Sequence, residues 1–144
     1  MPLHVVEVFK YEGEKKIKIP VYVSKIKTGF PSPAEEDYTD KKLDLNEYLI
    51  KHEDATYFLR SRGNSMIGAG IHSGDILIVD RALEAKNNKV IIAALNGELT
   101  VKRIIIKKDR IFLETENPDY PTIEVTPETD FQVWGVVTSV IHSL

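Results

Sequence analysis

Cysteine is absent from the 144 residues, so neither disulfide bonds nor thiolate metal ligands can contribute to the fold or to a site. An excess of positive charge is also missing: 19 Lys and Arg stand against 22 Asp and Glu, for a formal net charge of −3. Nucleic-acid-binding domains usually have a clear basic excess. The composition therefore disfavours direct nucleic-acid binding, although a local basic patch would still permit it.

Long apolar runs are missing as well. The longest are Val90–Leu95 and Ile104–Ile106, far short of the ~20 residues that a membrane span needs. The stretch Met1–Lys10 contains Glu7 and has no long apolar segment, unlike a signal peptide. With 42% hydrophobic and 28% charged residues, we expect a soluble, cytoplasmic, globular domain.

The chain divides near residue 29. Residues 1–28 are too few to build a core and form a predicted N-terminal arm, with weak strands at Val5–Phe9 and Ile17–Val23. Gly29, Pro31 and Pro33 then exclude a regular element, so this segment should be extended and accessible. The predicted organisation is an arm of residues 1–28 and a domain of residues 29–144.

The domain reads as mostly β. One helix is predicted within Ala34–His52, with Asp44 as a candidate N-cap. Turn residues separate the later apolar runs, and Asn96-Gly97 is typical of a two-residue hairpin. We expect a compact domain of short, largely antiparallel strands with one short helix, plus a flexible arm. The predicted strands are Thr56–Leu59, Asp75–Val79, Val90–Leu95, Leu99–Ile106, Arg110–Glu114, Thr122–Val125 and Gln132–Ile141.

Ser65 is a candidate nucleophile because it follows Gly63 and Asn64 in a predicted turn directly after a strand. Such a turn can expose Oγ, and the backbone N–H groups of Asn64 and Ser65 could bind an oxyanion. The motif differs from the Gly-x-Ser-x-Gly elbow, since Ile67 stands at the second glycine position. Taken alone, an ordinary turn serine is the commoner explanation.

Lys102 is a candidate base. Strand side chains alternate, so Lys102 shares a face with Thr100 and Ile104 and is buried if that face is buried. Burial disfavours the charged amine, and a neutral lysine can activate a serine without a histidine. Solvent-exposed strand lysines are nevertheless far more common.

The four histidines suggest no alternative site by their spacing. No pair has the i, i+4 separation of a helical zinc motif, and no metal or cofactor is predicted. A pair of Ser65 with His52 or His72 is possible in space but is not indicated by the sequence.

Several ordered motifs together resemble the LexA/UmuD family of self-cleaving peptidases, and the UmuD branch more than the LexA branch. The block Gly63–Met66 with Gly70-Ile71 and Gly74–Val79 is similar to the family's serine signature, and Gly97–Arg103 to its lysine signature. Further similar stretches are Asn117–Pro121, Trp134–Val137, Gly29–Ala34, Asp44–Asn46 and Ala55–Phe58. The resemblance covers roughly residues 29–140.

The resemblance implies a serine endopeptidase that cuts its own Thr28–Gly29 bond with Ser65 as nucleophile and Lys102 as base. Family sites usually carry Cys or Ala before the glycine, so the β-branched Thr28 puts the cleavage rate in doubt. Ala69-Gly70 is such a pair, but it lies inside the serine block and is not the expected substrate. The implied partners are a second copy of the chain, a RecA filament on single-stranded DNA that stimulates the cut, and a UmuC-like polymerase subunit in translesion synthesis during the SOS response.

Three other functions stay open. A LexA-type repressor would need an N-terminal helix-turn-helix, for which the arm has no room. A signal peptidase would need a membrane anchor. A polymerase-binding β-domain without activity needs neither Ser65 nor Lys102, and both are present.

Overall fold

The computed structural model describes residues 2–13, 18–22 and 38–144, and for residues 18–22 and 38–42 the backbone alone. The chain forms two compact units, one of residues 1–11 with 52–144 and the other of residues 12–51. The elements are β1 His4–Lys10, β2 Lys18–Tyr22, β3 Tyr38–Asp44, α1 Leu45–Leu49, β4 Thr56–Arg62, β5 Ile76–Asp80, β6 Val90–Leu95, β7 Glu98–Lys107, β8 Arg110–Glu114, β9 Ile123–Val125 and β10 Phe131–Ile141, with 3₁₀ turns at Glu53–Ala55 and Ile67–Ala69.

The larger unit is one antiparallel sheet that closes on itself. Its strand order is β1-β4-β5-β10-β6-β7-β8-β9, and β1 also pairs with β7, so six strands form a ring to which β8 and β9 are appended. The closing contact is short, since only His4 and Thr100 pair between β1 and β7. By contrast β1 pairs with β4 along its length, from His4 opposite Arg62 to Lys10 opposite Tyr57. The prediction of a mostly β, largely antiparallel domain is confirmed.

Side-chain alternation divides the core into two clusters. On β6, Ile92 belongs to one cluster and its neighbours Ile91 and Ala93 to the other, as the two faces of a strand require. The first cluster contains Leu3, Leu59, Met66, Ile71, Leu77, Val79, Ile92 and Val101, and the second contains Ile91, Ala93, Leu95, Ile104, Leu113 and Val136.

The Asn96-Gly97 hairpin forms where the sequence predicts it. It joins β6 to β7, with Leu95 opposite Glu98. Asn96 has φ 51° and Gly97 φ 81°, the two positive values that a type I′ turn needs. This tight turn fixes the register that sets Lys102 opposite Ile91.

The smaller unit contains β2 paired antiparallel with β3, followed by α1. Asp44 caps the helix, its carboxylate accepting from the Glu47 N–H at 3.1 Å as predicted. The helix is much shorter than the predicted Ala34–His52, because residues 38–44 hydrogen-bond to β2 instead of to their own chain. Residues 34–37 lie outside the described residues.

Two features predicted for the arm can be compared with the structure. The weak strands at Val5–Phe9 and Ile17–Val23 correspond to β1 and β2. The proposed scissile pair, Thr28 and Gly29, lies outside the described residues, so the cut there and the boundary at residue 29 stay predictions.

Candidate functional site

Ser65 lies in the turn that links β4 to the 3₁₀ turn Ile67–Ala69. Its side chain is fully buried, with 0% exposure. The Ser65 Oγ accepts a hydrogen bond from the backbone N–H of Leu3 at 2.8 Å. Met66, also at 0% exposure, anchors the turn in the first core cluster beside Leu3.

Backbone hydrogen bonds to Glu116 fix the serine turn. The Glu116 N–H donates to the Ser65 carbonyl at 2.9 Å, and the Gly68 N–H donates to the Glu116 carbonyl at 2.9 Å. A Cβ at Gly68 would lie 2.6 Å from that carbonyl oxygen, so the close approach requires glycine there. The Glu116 side chain forms a 2.5 Å ion pair with Arg103 of β7, which links the turn to the strand that carries Lys102.

The segment Asn117–Tyr120 holds the residue before the serine. The Asn117 side-chain amide donates to the Asn64 carbonyl at 3.0 Å, and the Tyr120 hydroxyl donates to Asn64 Oδ1 at 2.7 Å. The Asn-Pro-x-Tyr motif therefore has a local structural use, which is to orient the Asn64–Ser65 peptide.

Lys102 lies in the middle of β7 with only 7% exposure. It shares a strand face with Thr100 and Ile104, at 9% and 3% exposure, and pairs with the fully buried Ile91. The expected burial of this face is therefore found. Burial lowers the pKa of the Lys102 amine from its ordinary value of 10.5, because desolvation penalises the charged form.

Leu3 lies between the serine turn and β7. Its N–H donates to Ser65 Oγ, and its carbonyl accepts from the Val101 N–H at 3.2 Å. Leu3 thus bridges Ser65 and β7, the strand that carries Lys102. Within the described residues Ser65 Oγ bonds to Leu3 and not to Lys102, and the Ser–Lys pair stays a prediction.

The predicted oxyanion donors are the N–H groups of Asn64 and Ser65. Both carbonyl oxygens of this pair are held, by Asn117 and Glu116, so the peptide planes are fixed. In the described part of the chain the Ser65 N–H has no hydrogen-bond acceptor, as a donor kept for a ligand requires. Their role with a substrate is untested and stays a prediction.

Three of the four histidines lie beside carboxylates. His52 Nδ1 lies 2.6 Å from Asp80 Oδ2, and His142 Nδ1 lies 2.6 Å from Asp75 Oδ1, with His72 beside it. Among the described residues none of these hydrogen bonds reaches Ser65. The alternative pairing of Ser65 with His52 or His72 gains no support.

Ala69-Gly70 has the wrong conformation for a substrate. Ala69 ends a 3₁₀ turn, and Gly70 has φ 82° with its N–H bonded to the Ile67 carbonyl at 2.9 Å. Peptidases bind extended backbone, which these two residues do not have.

Leu3 and the His72–Asp75–His142 group were not indicated by the sequence. The Leu3–Ser65 bond spans 62 positions and the His142–Asp75 bond spans 67. No spacing rule connects residues so far apart. Only the strand pairings bring them together.

The sequence is similar to those of several known proteins. Residues 20–138 match the family model described as Peptidase S24-like. Protein MucA of Salmonella typhimurium is 41% identical over 141 residues, covering 96% of this chain and 93% of that protein. Protein SamA of Salmonella typhimurium strain LT2 is 46% identical over 123 residues, covering 85% and 84%.

A more distant relative is the LexA repressor of Paracidovorax citrulli, 37% identical over 131 residues that cover 91% of this chain but 57% of the repressor. In the described part of the chain, no helix has the length and apolar character to cross a membrane. The family model spans both the serine and the lysine motifs. The chain belongs to the Peptidase S24-like family.

Proposed function

We propose that the protein is a self-cleaving serine endopeptidase that cuts its own Thr28–Gly29 bond. The observation that carries the proposal is the burial of Lys102, which lowers the pKa of its amine in a strand linked through Leu3 to the turn of Ser65. A serine needs a proton acceptor to become a nucleophile, and a desolvated lysine can supply one. Membership of a peptidase family supports the same chemistry.

In the proposed reaction the Thr28-Gly29 segment binds beside Ser65 as an added strand would. Oγ attacks the Thr28 carbonyl carbon while its proton passes to the neutral Lys102 Nζ. The N–H groups of Asn64 and Ser65 stabilise the oxyanion. The C–N bond then breaks, and the Gly29 amine takes the proton from Lys102.

Water then attacks the carbonyl carbon of the Thr28 ester while Lys102 accepts a proton from it, and Lys102 returns that proton to Ser65 Oγ as the ester C–O bond breaks. The products are residues 1–28 and residues 29–144. The branched Thr28 side chain crowds the attacked carbonyl, so we expect slow cleavage unless a partner favours the bound conformation.

The proposed context is DNA damage. A RecA filament on single-stranded DNA stimulates the cut, and a homodimer of the shortened chain joins a UmuC-like polymerase subunit for translesion synthesis in the SOS response, in the cytoplasm. The resemblance to the UmuD branch and the nearly full-length match to MucA support this proposal. The LexA repressor extends well beyond the matched region, so its role as a repressor is not proposed for this chain.

Intact mass after incubation at pH 7 and pH 10 tests the proposal. We expect wild type to lose residues 1–28, faster at pH 10, and Ser65→Ala to keep its full mass at both values. If wild type stays whole, the incubation is repeated with RecA, single-stranded DNA and nucleotide. A chain that is still intact then favours a polymerase-binding domain without activity.

A further inference from the structure

We propose that residues 2–4 act as a built-in inhibitor of the peptidase groove. Leu3 bonds to Ser65 Oγ on one side and to the Val101 N–H on the other, so it lies in the groove as a bound peptide would. Ser65 is 0% exposed in this arrangement. A second peptide segment cannot reach Oγ until Leu3 leaves.

The groove fits this segment closely. The Leu3 side chain is 1% exposed and packs in the cluster that contains Leu59, Met66 and Val101. A Cβ at Gly63 would lie 2.3 Å from the Pro2 carbonyl oxygen, so a glycine at this position makes room for the segment. These contacts define a pocket for an extended peptide with an aliphatic side chain.

The bound segment is placed so that it is not cut. The Leu3 N–H points at Oγ, which puts Oγ near the plane of the Pro2–Leu3 peptide on its nitrogen side. Attack requires Oγ above the carbonyl carbon, out of that plane. The Leu3 N–H also engages one of the two lone pairs of Oγ, so the contact competes with attack.

The segment can also leave. Beyond the single pair of His4 with Thr100, a cleft of about 420 Å³ separates β1 from β7, lined by Pro2, His4 and Val5 on one side and Glu98, Leu99 and Thr100 on the other. The ring of strands therefore has its fewest residue pairs next to the segment Pro2–His4. Release of Pro2–His4 opens the groove without breaking the longer pairing of β1 with β4.

A fluorophosphonate that labels active serines tests the inhibitor. We expect Leu3→Ala and Leu3→Asp to raise the rate of Ser65 labelling at least tenfold over wild type, and to speed self-cleavage. Val8→Ala is the control, because Val8 lies on β1, the strand that begins directly after Leu3, and its side chain is 45% exposed. We expect it to label like wild type. Unfolding would abolish labelling, so an increase cannot come from loss of the fold.

Hydrogen exchange of the Leu3 amide gives a second measurement. The inhibitory consequence rests on the proposed peptidase activity, whereas the contacts at Leu3 do not. We expect slow exchange at Leu3 in wild type and faster exchange in Ser65→Ala. Fast exchange in wild type, or folded Leu3 variants that label at the wild-type rate, would overturn the inhibitor. A protected Leu3 with no labelling or cleavage in any variant would instead reject the peptidase.

We infer separately that His72, Asp75 and His142 form a zinc-type metal site. Antiparallel pairing of β10 with β5 ends at Ile141 opposite Ile76, which brings His142 next to Asp75. The ligand atoms of the three side chains lie within 4.8 Å of one another. The two imidazole rings lie side by side, with centroids 4.6 Å apart and planes tilted by 35°.

The donor set suits a divalent transition metal. Two imidazole nitrogens and one carboxylate oxygen, with water as a fourth ligand, are a common zinc set. The Asp75 side chain is 3% exposed, and its Oδ2 accepts a hydrogen bond from the His72 backbone N–H at 2.7 Å, which holds the carboxylate in place. Both rings are about half exposed, so an ion can enter from solvent. The sequence suggested no metal site, because these ligands follow no helical spacing.

Calorimetric titration of the EDTA-treated protein with Zn²⁺ tests this site. We expect one ion per chain and at least tenfold weaker binding in His72→Ala and in His142→Ala. His52→Ala is the matched control, because His52 makes the same 2.6 Å contact to a buried aspartate, Asp80. Among the described residues, no second histidine joins this pair to complete a metal site. No binding by wild type, or equal weakening by His52→Ala, would refute the site.

Discussion

Replacing Lys102 with methionine will slow self-cleavage by about 10²–10⁴-fold, the usual contribution of general acid–base catalysis, while making the fold more stable. Methionine fills similar space but carries no amine. The wild-type amine is buried beside Ile91, and its lowered pKa shows that the fold disfavours the charged form. Removing it will raise the free energy of unfolding at pH 7 by about 0.5–2 kcal/mol, a common gain when a functional group is replaced.

The sign of the stability effect follows from the two protonation states. Unfolded Lys102 titrates near 10.5 and folded Lys102 below it, so between these values the unfolded chain binds more protons and stability rises with pH. The gain from Lys102→Met is therefore largest below the folded pKa and disappears above about pH 10.5. Chemical denaturation at several pH values measures it.

Lys107→Met is the matched control, because Lys107 lies at the exposed end of the same strand. We expect it to change neither cleavage nor the pH dependence of stability. A Lys102→Met protein that cleaves at the wild-type rate would remove Lys102 from the mechanism. One that is less stable than wild type at pH 7 would contradict the desolvation of its amine.

Raising the pH from 7 to 9 will speed wild-type cleavage by up to about 100-fold. The neutral fraction of a lysine grows about tenfold for each pH unit below its pKa, and the rate follows that fraction. The logarithm of the rate should climb with a slope near +1 and level off at the folded pKa, below 10.5. Rates of intact-mass conversion across this range give the profile.

Ser65→Ala separates enzyme chemistry from hydroxide-catalysed hydrolysis, since it should stay uncut at every pH in the series. Circular dichroism at each pH confirms that the fold is kept. A wild-type rate that does not change between pH 7 and 9 would contradict a catalytic lysine that titrates within or above this range.

Local sequence signals predict most of the larger unit. Turn residues bound the strands, and alternation groups Lys102 with Thr100 and Ile104 on the face that the structure buries. The same signals fail at residues 38–44, where a helical pattern is overridden by pairing with β2, more than fifteen residues earlier. Local periodicity contains no information about which distant strand is available.

In the candidate site, too, some features can be predicted from the sequence and others depend on strand pairing. Ser65 and Lys102 are indicated by motifs that resemble those of a known family, whereas local turn and strand patterns alone favour an ordinary turn serine and an exposed lysine. The contact of Leu3 with Ser65 depends on how the ring closes, and the meeting of His142 with Asp75 depends on the register of β10 against β5. Both are properties of the assembled sheet.

The closing of the ring by β1 has a consequence for the product of the proposed cut. Separation of residues 1–28 takes β1 away, so β4 and β7 each lose a hydrogen-bonding neighbour. Two strand edges with unpaired backbone groups then face solvent, beside apolar side chains that Leu3 had covered. Such edges accept strands from other proteins. Proteolysis would thus expose strand edges that are paired within the intact chain and make them available to pair with strands of other proteins.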